Sequence, residues 1–259
     1  MMHISFSELK MWAECPWKHR LVYIDKIKKF VGNEFTAFGS ALHTLCEHAI
    51  VDKIQDDEFD EFFEHVFEKE IARLLVKGTE LDQKLVDDML NQARLLAPQI
   101  IPEVVKHFEG YEVYSVEEMI YEDIKDFETD YKFKGYIDLV LKTPDNKYHI
   151  IDWKTCSWGW DAKKKSDKLV TYQLTLYKKF FCQKHNIDPL LVETHFALLK
   201  RTAKKNNVEI FRVTSGPRKT RNAVDLLTRG IKTIKSGLRI KNRNSCTYCE
   251  FRNTEDCPR

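Results

Sequence analysis

No stretch of this 259-residue chain approaches the ~20 consecutive apolar residues that a helix needs to cross a bilayer, so no membrane-spanning helix is expected. Met1 to Lys10 lacks a basic segment followed by an apolar one, and no secretory signal is expected either. Glycine and proline are sparse, at nine and seven residues, and neither an internal repeat nor a long low-complexity linker divides the chain. That excludes repeat arrays and domains strung on flexible tethers. An excess of one charge is missing as well: 42 Lys and Arg against 40 Asp and Glu leave a formal +2. The cysteines number seven, an odd count, and four of them sit near the chain ends. Without a sign of secretion, this favours metal or cluster ligands over disulfides. What remains is an ordinary folded composition, 43% hydrophobic and 32% charged, in a chain long enough to bury a substantial core.

The near-neutral total hides an asymmetry. Lys200 to Arg243 holds 14 Lys and Arg against Glu209 and Asp225, whereas Asp52 to Asp88 holds 13 acids against five bases. A basic C-terminal third fits a polyanion partner, and the acidic stretch faces solvent or another protein.

Two β-like runs, Tyr131 to Leu141 and Lys147 to Trp153, flank the turn formers Thr143-Pro144-Asp145-Asn146 and read as an antiparallel hairpin. Asp138 and Asp152 then lie on neighbouring strands among Ile137, Leu139, Ile150 and Ile151. An unpaired buried charge costs several kcal/mol or more, so such acids need a partner, and a divalent cation supplies one. Lys154 falls on the same strand face as Asp152. Two acids and a lysine about a hard cation suit phosphodiester hydrolysis; two exposed acids and an ion-paired lysine would produce the same short pattern.

Ser5-Phe6-Ser7-Glu8 is a capping box that starts a short helix, ending near Cys15-Pro16, with a second turn from Trp17 to Ile24. Thr36 to Val51 has helical spacing through Phe38, Leu42, Leu45, Ala49 and Ile50. His43 lies just off this stripe and Gly39 one turn before it, which leaves room for a metal, a water or a nucleotide backbone, or marks an ordinary core edge. Asp57 to Val76 and Glu80 to Phe108 read as helices, the second disturbed by Pro98 and Pro102, followed by a strand from Glu112 to Ile124. Within that strand, Glu118 is either a further acid of the site or a solvent-facing edge residue. A mobile basic loop with Lys163-Lys164-Lys165 precedes a helix from Asp167 to His185, where Gln173 and Tyr177 share one face. Strands at Leu191 to Leu199 and Val208 to Val213 and a basic helix from Pro217 to Lys235 complete the pattern.

Cys246-x2-Cys249 with Cys257 brings thiolates together over a tight turn, and Cys15 is the best fourth ligand. Four thiolates would tie the first and last segments together around either Zn²⁺ or an iron–sulfur cluster. Cys46, Cys156 and Cys182 read as buried or half-buried side chains.

Taken in order, Cys15-Pro16, Gly39-x3-His43, Gly135-x2-Asp138, Asp152-x-Lys154, Gln173-x3-Tyr177 and the three C-terminal cysteines resemble the PD-(D/E)XK nuclease superfamily. The resemblance is to its RecB-like iron–sulfur branch, which includes the AddB nuclease domain and the CRISPR-adaptation exonucleases. It implies an α/β fold: a mixed central sheet flanked by helices, with a restriction-endonuclease-like core. It implies one nuclease domain over 1–259, with a helical insertion at 52–110 and a cysteine cluster formed by residue 15 and 244–259. His43, Asp138, Asp152 and the Trp153 carbonyl would hold Mg²⁺ or Mn²⁺, Lys154 would position and activate water, and Gln173 and Tyr177 would contact DNA. Cys15, Cys246, Cys249 and Cys257 would hold a structural 4Fe–4S cluster, or else zinc. The implied activity is that of a cytoplasmic exonuclease on single-stranded DNA ends, in a prokaryotic cell or a phage-infected host. Partners in repair, recombination, CRISPR adaptation or phage genome processing follow from the same resemblance. Its rivals are a catalytically weak DNA-binding or assembly subunit of the same fold, and an endonuclease or flap nuclease with a zinc site.

Overall fold

The structure, a computed structural model, describes residues 2–27 and 30–258. Its strands are β1 (Met2–Ser5), β2 (Glu112–Asp123), β3 (Tyr131–Lys142), β4 (Tyr148–Cys156), β5 (Val192–Lys200) and β6 (Val208–Arg212). Its main helices are α1 (Phe6–Glu14), α2 (Pro16–His19), α3 (Glu34–Ile50), α4 (Phe59–Val76), α5 (Gln83–Leu96), α6 (Ile100–His107), α7 (Ala162–Ser166), α8 (Lys168–His185) and α9 (Pro217–Ser236). The six strands form one sheet in which β2–β3, β3–β4 and β5–β6 are antiparallel and β1–β3 and β4–β5 parallel.

The sheet is covered on both faces. Leu139, Leu141, Ile151, Trp153, Ala197 and Leu199 pack beneath α3–α6. Phe133, Val140, Ile150, Phe196 and Leu198 pack beneath α1, α8 and α9. Alternate residues of β4 and β5 enter opposite layers, as the two-residue period of a strand requires. Each fully buried Leu, Ile or Phe contributes about 1.5–3 kcal/mol, so both layers hold the strands firmly. The helices of 52–110 share one core with α3 and the sheet.

Local chemistry explains most boundaries. Ser5 caps α1 by accepting from the Glu8 N–H at 3.1 Å, but the Glu8 carboxylate turns to His19 at 2.9 Å instead of closing the box. Asn33 and Thr36 form a reciprocal capping box that starts α3. Pro98 separates α5 from α6, whereas Pro102 falls in the first turn of α6, where a missing N–H breaks no helical bond. Lys163, Lys164 and Lys165, read from sequence as a loop, lie in the short helix α7, capped by Asp161. Strand β1 was not legible: four residues are too few to display a period of two.

Candidate active site

Strand β3 is paired by β2 from Lys132 to Lys142. Its other edge is divided, with β1 opposite residues 131–134 and β4 opposite residues 139–142. Gly135, Tyr136, Ile137 and Asp138 fall in the gap. The last β3–β4 pair is Leu139 with Ile151, so Asp138 and the residues after Ile151 face each other across a fork instead of a ladder. Backbone groups released from a ladder must find other partners. The Trp153 N–H donates to Asp138 Oδ2 at 2.8 Å, and the Trp153 backbone lies near enough to the His43 ring to favour its charged form.

Helices from both layers reach this fork. α3 brings His43, whose Nδ1 stands 3.8 Å from Asp138 Oδ2. From the other layer, α8 brings Gln173, whose amide donates to Asp152 Oδ1 at 2.8 Å and to Tyr177 Oη at 3.3 Å. Lys154 pairs with Asp152 Oδ2 from two residues along the same strand. Two glycines allow the close approach. A Cβ on Gly135 would stand 2.7 Å from Tyr177 Cε1, and one on Gly39 would stand 3.2 Å from Thr155 Oγ1. Each has its reason in the side chain packed against it.

The electrostatics of the fork call for a cation. Asp152 is 1% exposed, and its Oδ2, although ion-paired to Lys154, receives no well-directed hydrogen bond. Burial, and then Asp152, push the Asp138 carboxyl well above the usual range, with Lys154 and the Trp153 N–H pulling the other way. Burial, and then Lys154, lower His43 to about 4, so at neutral pH its imidazole is uncharged and has a lone pair to offer. Burial alone would lower Lys154, but Asp152 and Asp138 outweigh it and the ammonium is held more tightly than usual. Two carboxylates thus compete for one ammonium. Carboxylate and carbonyl oxygens with one neutral imidazole are donors that suit Mg²⁺ or Mn²⁺. His43 and Lys154 keep 29% and 30% of their side-chain surface open. Lys154 and Gln173 border a cleft of about 530 Å³ whose other walls include Lys10, Trp160 and Lys164.

Some residues of this neighbourhood escaped the sequence reading. Glu47, one turn after His43, is raised to about 7 by burial and by Glu117 beside it. The i, i+4 spacing of His43 and Glu47 was available to find it. Glu117 was not: it sits between the pairs Val116–Leu139 and Glu118–Ile137, opposite Asp138, and only the register reveals this. Its neighbour Glu118, weighed as a site acid, binds Lys184 and His185 and ties β2 to α8.

The four terminal cysteines line one cavity of about 360 Å³ with Trp17, Leu21 and Phe251. All four are free thiols. Cys257 is pushed up by burial and then by Cys15, Cys246 and Cys249, with Lys241 opposing. The Asn242 N–H approaches Cys15 Sγ at 3.4 Å, the Asn242 side chain donates to the Glu14 carbonyl at 2.8 Å, and the Trp17 indole donates to the Asp256 carbonyl at 3.0 Å. These contacts fasten the first and last segments to each other.

No curated protein matches the chain. Among solved structures, the crystal structure of a "Putative exonuclease" from Eubacterium rectale is similar over 96% of this chain and 86% of its own, with a TM-score of 0.61 and 16% identity. At that identity the likeness is one of fold. The structure of SSO0001 aligns over 95% of this chain and 93% of its own with 14% identity, but a TM-score of 0.37 carries no argument. A family model described as the PD-(D/E)XK nuclease superfamily matches residues 3–254. A match over nearly the whole length, on a mixed sheet flanked by helices, leaves one assignment: the chain belongs to the PD-(D/E)XK nuclease superfamily.

Proposed function

We propose that this nuclease is a Mg²⁺- or Mn²⁺-dependent DNA exonuclease of the RecB-like iron–sulfur branch, acting on single-stranded ends. The observation that carries the reading is the fork itself, where neutral His43, Asp138, Asp152 and the Trp153 carbonyl meet beside Lys154. A divalent ion held by those groups supplies Lewis-acid polarisation of a phosphodiester and a more acidic water. Lys154 Nζ holds a proton at the mouth of the cleft, where it orients an incoming oxygen by charge and hydrogen bonding. Gln173 keeps Asp152 and Tyr177 in register, and the pair borders the path of the DNA.

The second part of the reading is a structural 4Fe–4S cluster on Cys15, Cys246, Cys249 and Cys257. A tetrahedral zinc, with Zn–S near 2.3 Å, draws its sulfurs to about 3.8 Å from one another. The four cysteines line a cavity of about 360 Å³, space that supports the cluster reading. On this reading 1–259 is one nuclease domain with 52–110 inserted, and it works in the cytoplasm on DNA in repair, recombination, CRISPR adaptation or phage genome processing.

The test uses end-labelled single-stranded, double-stranded and circular DNA with Mg²⁺, Mn²⁺ or chelator. Wild type should shorten linear single strands from an end and leave circles intact. Asp152→Asn and Lys154→Ala should lower the rate by on the order of 10²–10⁴ while DNA binding persists. Wild-type rates in either variant would sink the site. Cutting of circles would replace the exonuclease by an endonuclease, and a colourless protein with stoichiometric zinc would replace the cluster.

A further inference from the structure

On the α6 side of the sheet, near the start of β4 and β5, three side chains converge that take no part in the fork. Parallel pairing sets His149 beside Glu193 and Ile151 beside His195. One ligand atom from each of His149, Glu193 and His195 lies within 4.8 Å of the others. His149 Nδ1 faces His195 Nε2 at 3.2 Å, and Glu193 Oε2 is 3.9 Å from that same Nε2. His149 lies three residues before Asp152 on β4, which at ~3.3 Å per residue puts it roughly 10 Å away along the strand.

His149 Nδ1 and His195 Nε2 hydrogen-bond to each other, and a metal would take both lone pairs once the His195 proton shifts to its unpartnered Nδ1. Thr143 directs its hydroxyl proton to Asp145 Oδ1 at 2.5 Å, and its oxygen lies 3.0 Å from His149 Nε2. A hydroxyl has one proton, so His149 Nε2–H is the donor in that contact and Nδ1 carries the lone pair. This is the outer-shell support that orients metal-binding imidazoles. Glu193 Oε1 is held by Arg212 at 3.3 Å and Lys147 at 3.9 Å, which leaves Oε2 turned inward. His195 is 3% exposed and its Nδ1 has no hydrogen-bond partner. Phe108 packs against both imidazoles, with ring centroids at 4.9 and 5.0 Å. Burial lowers both histidines, His195 to about 3, so both are neutral and able to ligate.

We propose that His149 Nδ1, His195 Nε2 and Glu193 Oε2 form a second, structural metal site that takes a divalent transition metal of the zinc type. Two nitrogens about 2.0–2.1 Å from one tetrahedral ion stand roughly 3.4 Å apart, close to the 3.2 Å seen here. Glu193 needs only a small shift to follow. Imidazole donors select zinc, cobalt or nickel over magnesium. The position beneath Phe108 makes the ion a clamp between β4 and β5.

The full-length protein, held in excess Mg²⁺, is titrated with Co²⁺ and, separately, melted with and without Zn²⁺. The expected results are a visible cobalt band free of sulfur-to-cobalt charge transfer, and a Zn²⁺-induced rise in Tm of about 5 °C at a hundred-fold excess over Kd. Glu193→Gln and His149→Gln should lose both, while Asp152→Asn and Cys249→Ser keep them. Glu193→Gln preserves shape and polarity, so it decides the matter if His149→Gln fails to fold. Unchanged cobalt and zinc responses in Glu193→Gln, or no sulfur-free cobalt band in wild type, would overturn the proposal.

Discussion

Asp138 and His43 hold their protons in opposite senses for one reason, the cost of charge in the fork. Asp138 is raised, so the folded chain binds its proton more tightly than the unfolded chain does. The stability this contributes is complete below the unfolded value of 3.8 and is lost as pH rises through the folded one. His43 is lowered from 6.5 to about 4, so the unfolded chain binds its proton more tightly. Its contribution is present above 6.5 and is lost as pH falls from there towards 4. Two outcomes follow for protein in chelator. Asp138→Asn, which removes one of two competing carboxylates, should melt several degrees higher than wild type at pH 8, and with Mg²⁺ restored it should show no cleavage. His43→Gln should flatten the loss of stability between pH 6.5 and 4, measured by urea denaturation at each pH. An Asp138→Asn protein that melts lower than wild type would mean the carboxylate is held by something other than Lys154 and the Trp153 N–H.

Elements matter because they bring such residues within reach, and glycines mark where they approach most closely. Gly135 lets β3 lie against the Tyr177 ring of α8; a methyl there meets Cε1 at 2.7 Å. Gly135→Ala should cost about 1–3 kcal/mol and displace Tyr177 from Gln173, so cleavage should fall more than tenfold in a protein that still folds. Gly230 plays the same part between α9 and α1, where an added Cβ would stand 2.6 Å from Leu9 Cδ1. Helix α1 ends at Cys15, so Gly230→Ala should loosen the cysteine cavity as well as lower Tm, measured as faster thiol labelling of Cys15. At this scale the sequence was most readable where one element carries the whole signal. The stripe of α3, the hairpin β3–β4 and the pair Gln173 and Tyr177 each have a period of their own. It was least readable where a partner strand decides. Glu117 enters the neighbourhood of Asp138 only through the β2 register, and β1 only through its pairing with β3. His149 meets His195 across 46 residues because β4 and β5 run parallel. No local spacing encodes those meetings.

Across the molecule, charge is divided between the two helical layers. The acidic stretch builds α4 and much of α5 on one face of the sheet, and the basic α9 lies on the other, against α1. The cleft beside Lys154 opens on that second side, where α1 contributes Lys10 and the segment after β4 contributes Lys164. A polyanion that entered the cleft past α1 and ran on along α9 would meet Arg218 and Arg221, which are exposed. Phosphate contacts of this kind release counterions, and for single strands log K falls by about 0.7 for each phosphate neutralised as log salt rises. Lys10→Ala with Lys164→Ala should weaken binding and lower the cleavage rate of bound DNA, because both face the cleft. Arg218→Ala with Arg221→Ala should weaken binding alone, and the salt slope should become shallower by roughly 1.4 if each holds one phosphate. Fluorescence anisotropy of a labelled single strand across 50 to 300 mM salt, paired with single-turnover cleavage, separates the two effects. A slope unchanged in the α9 variant would place the DNA elsewhere and leave the basic helix as a solvated face.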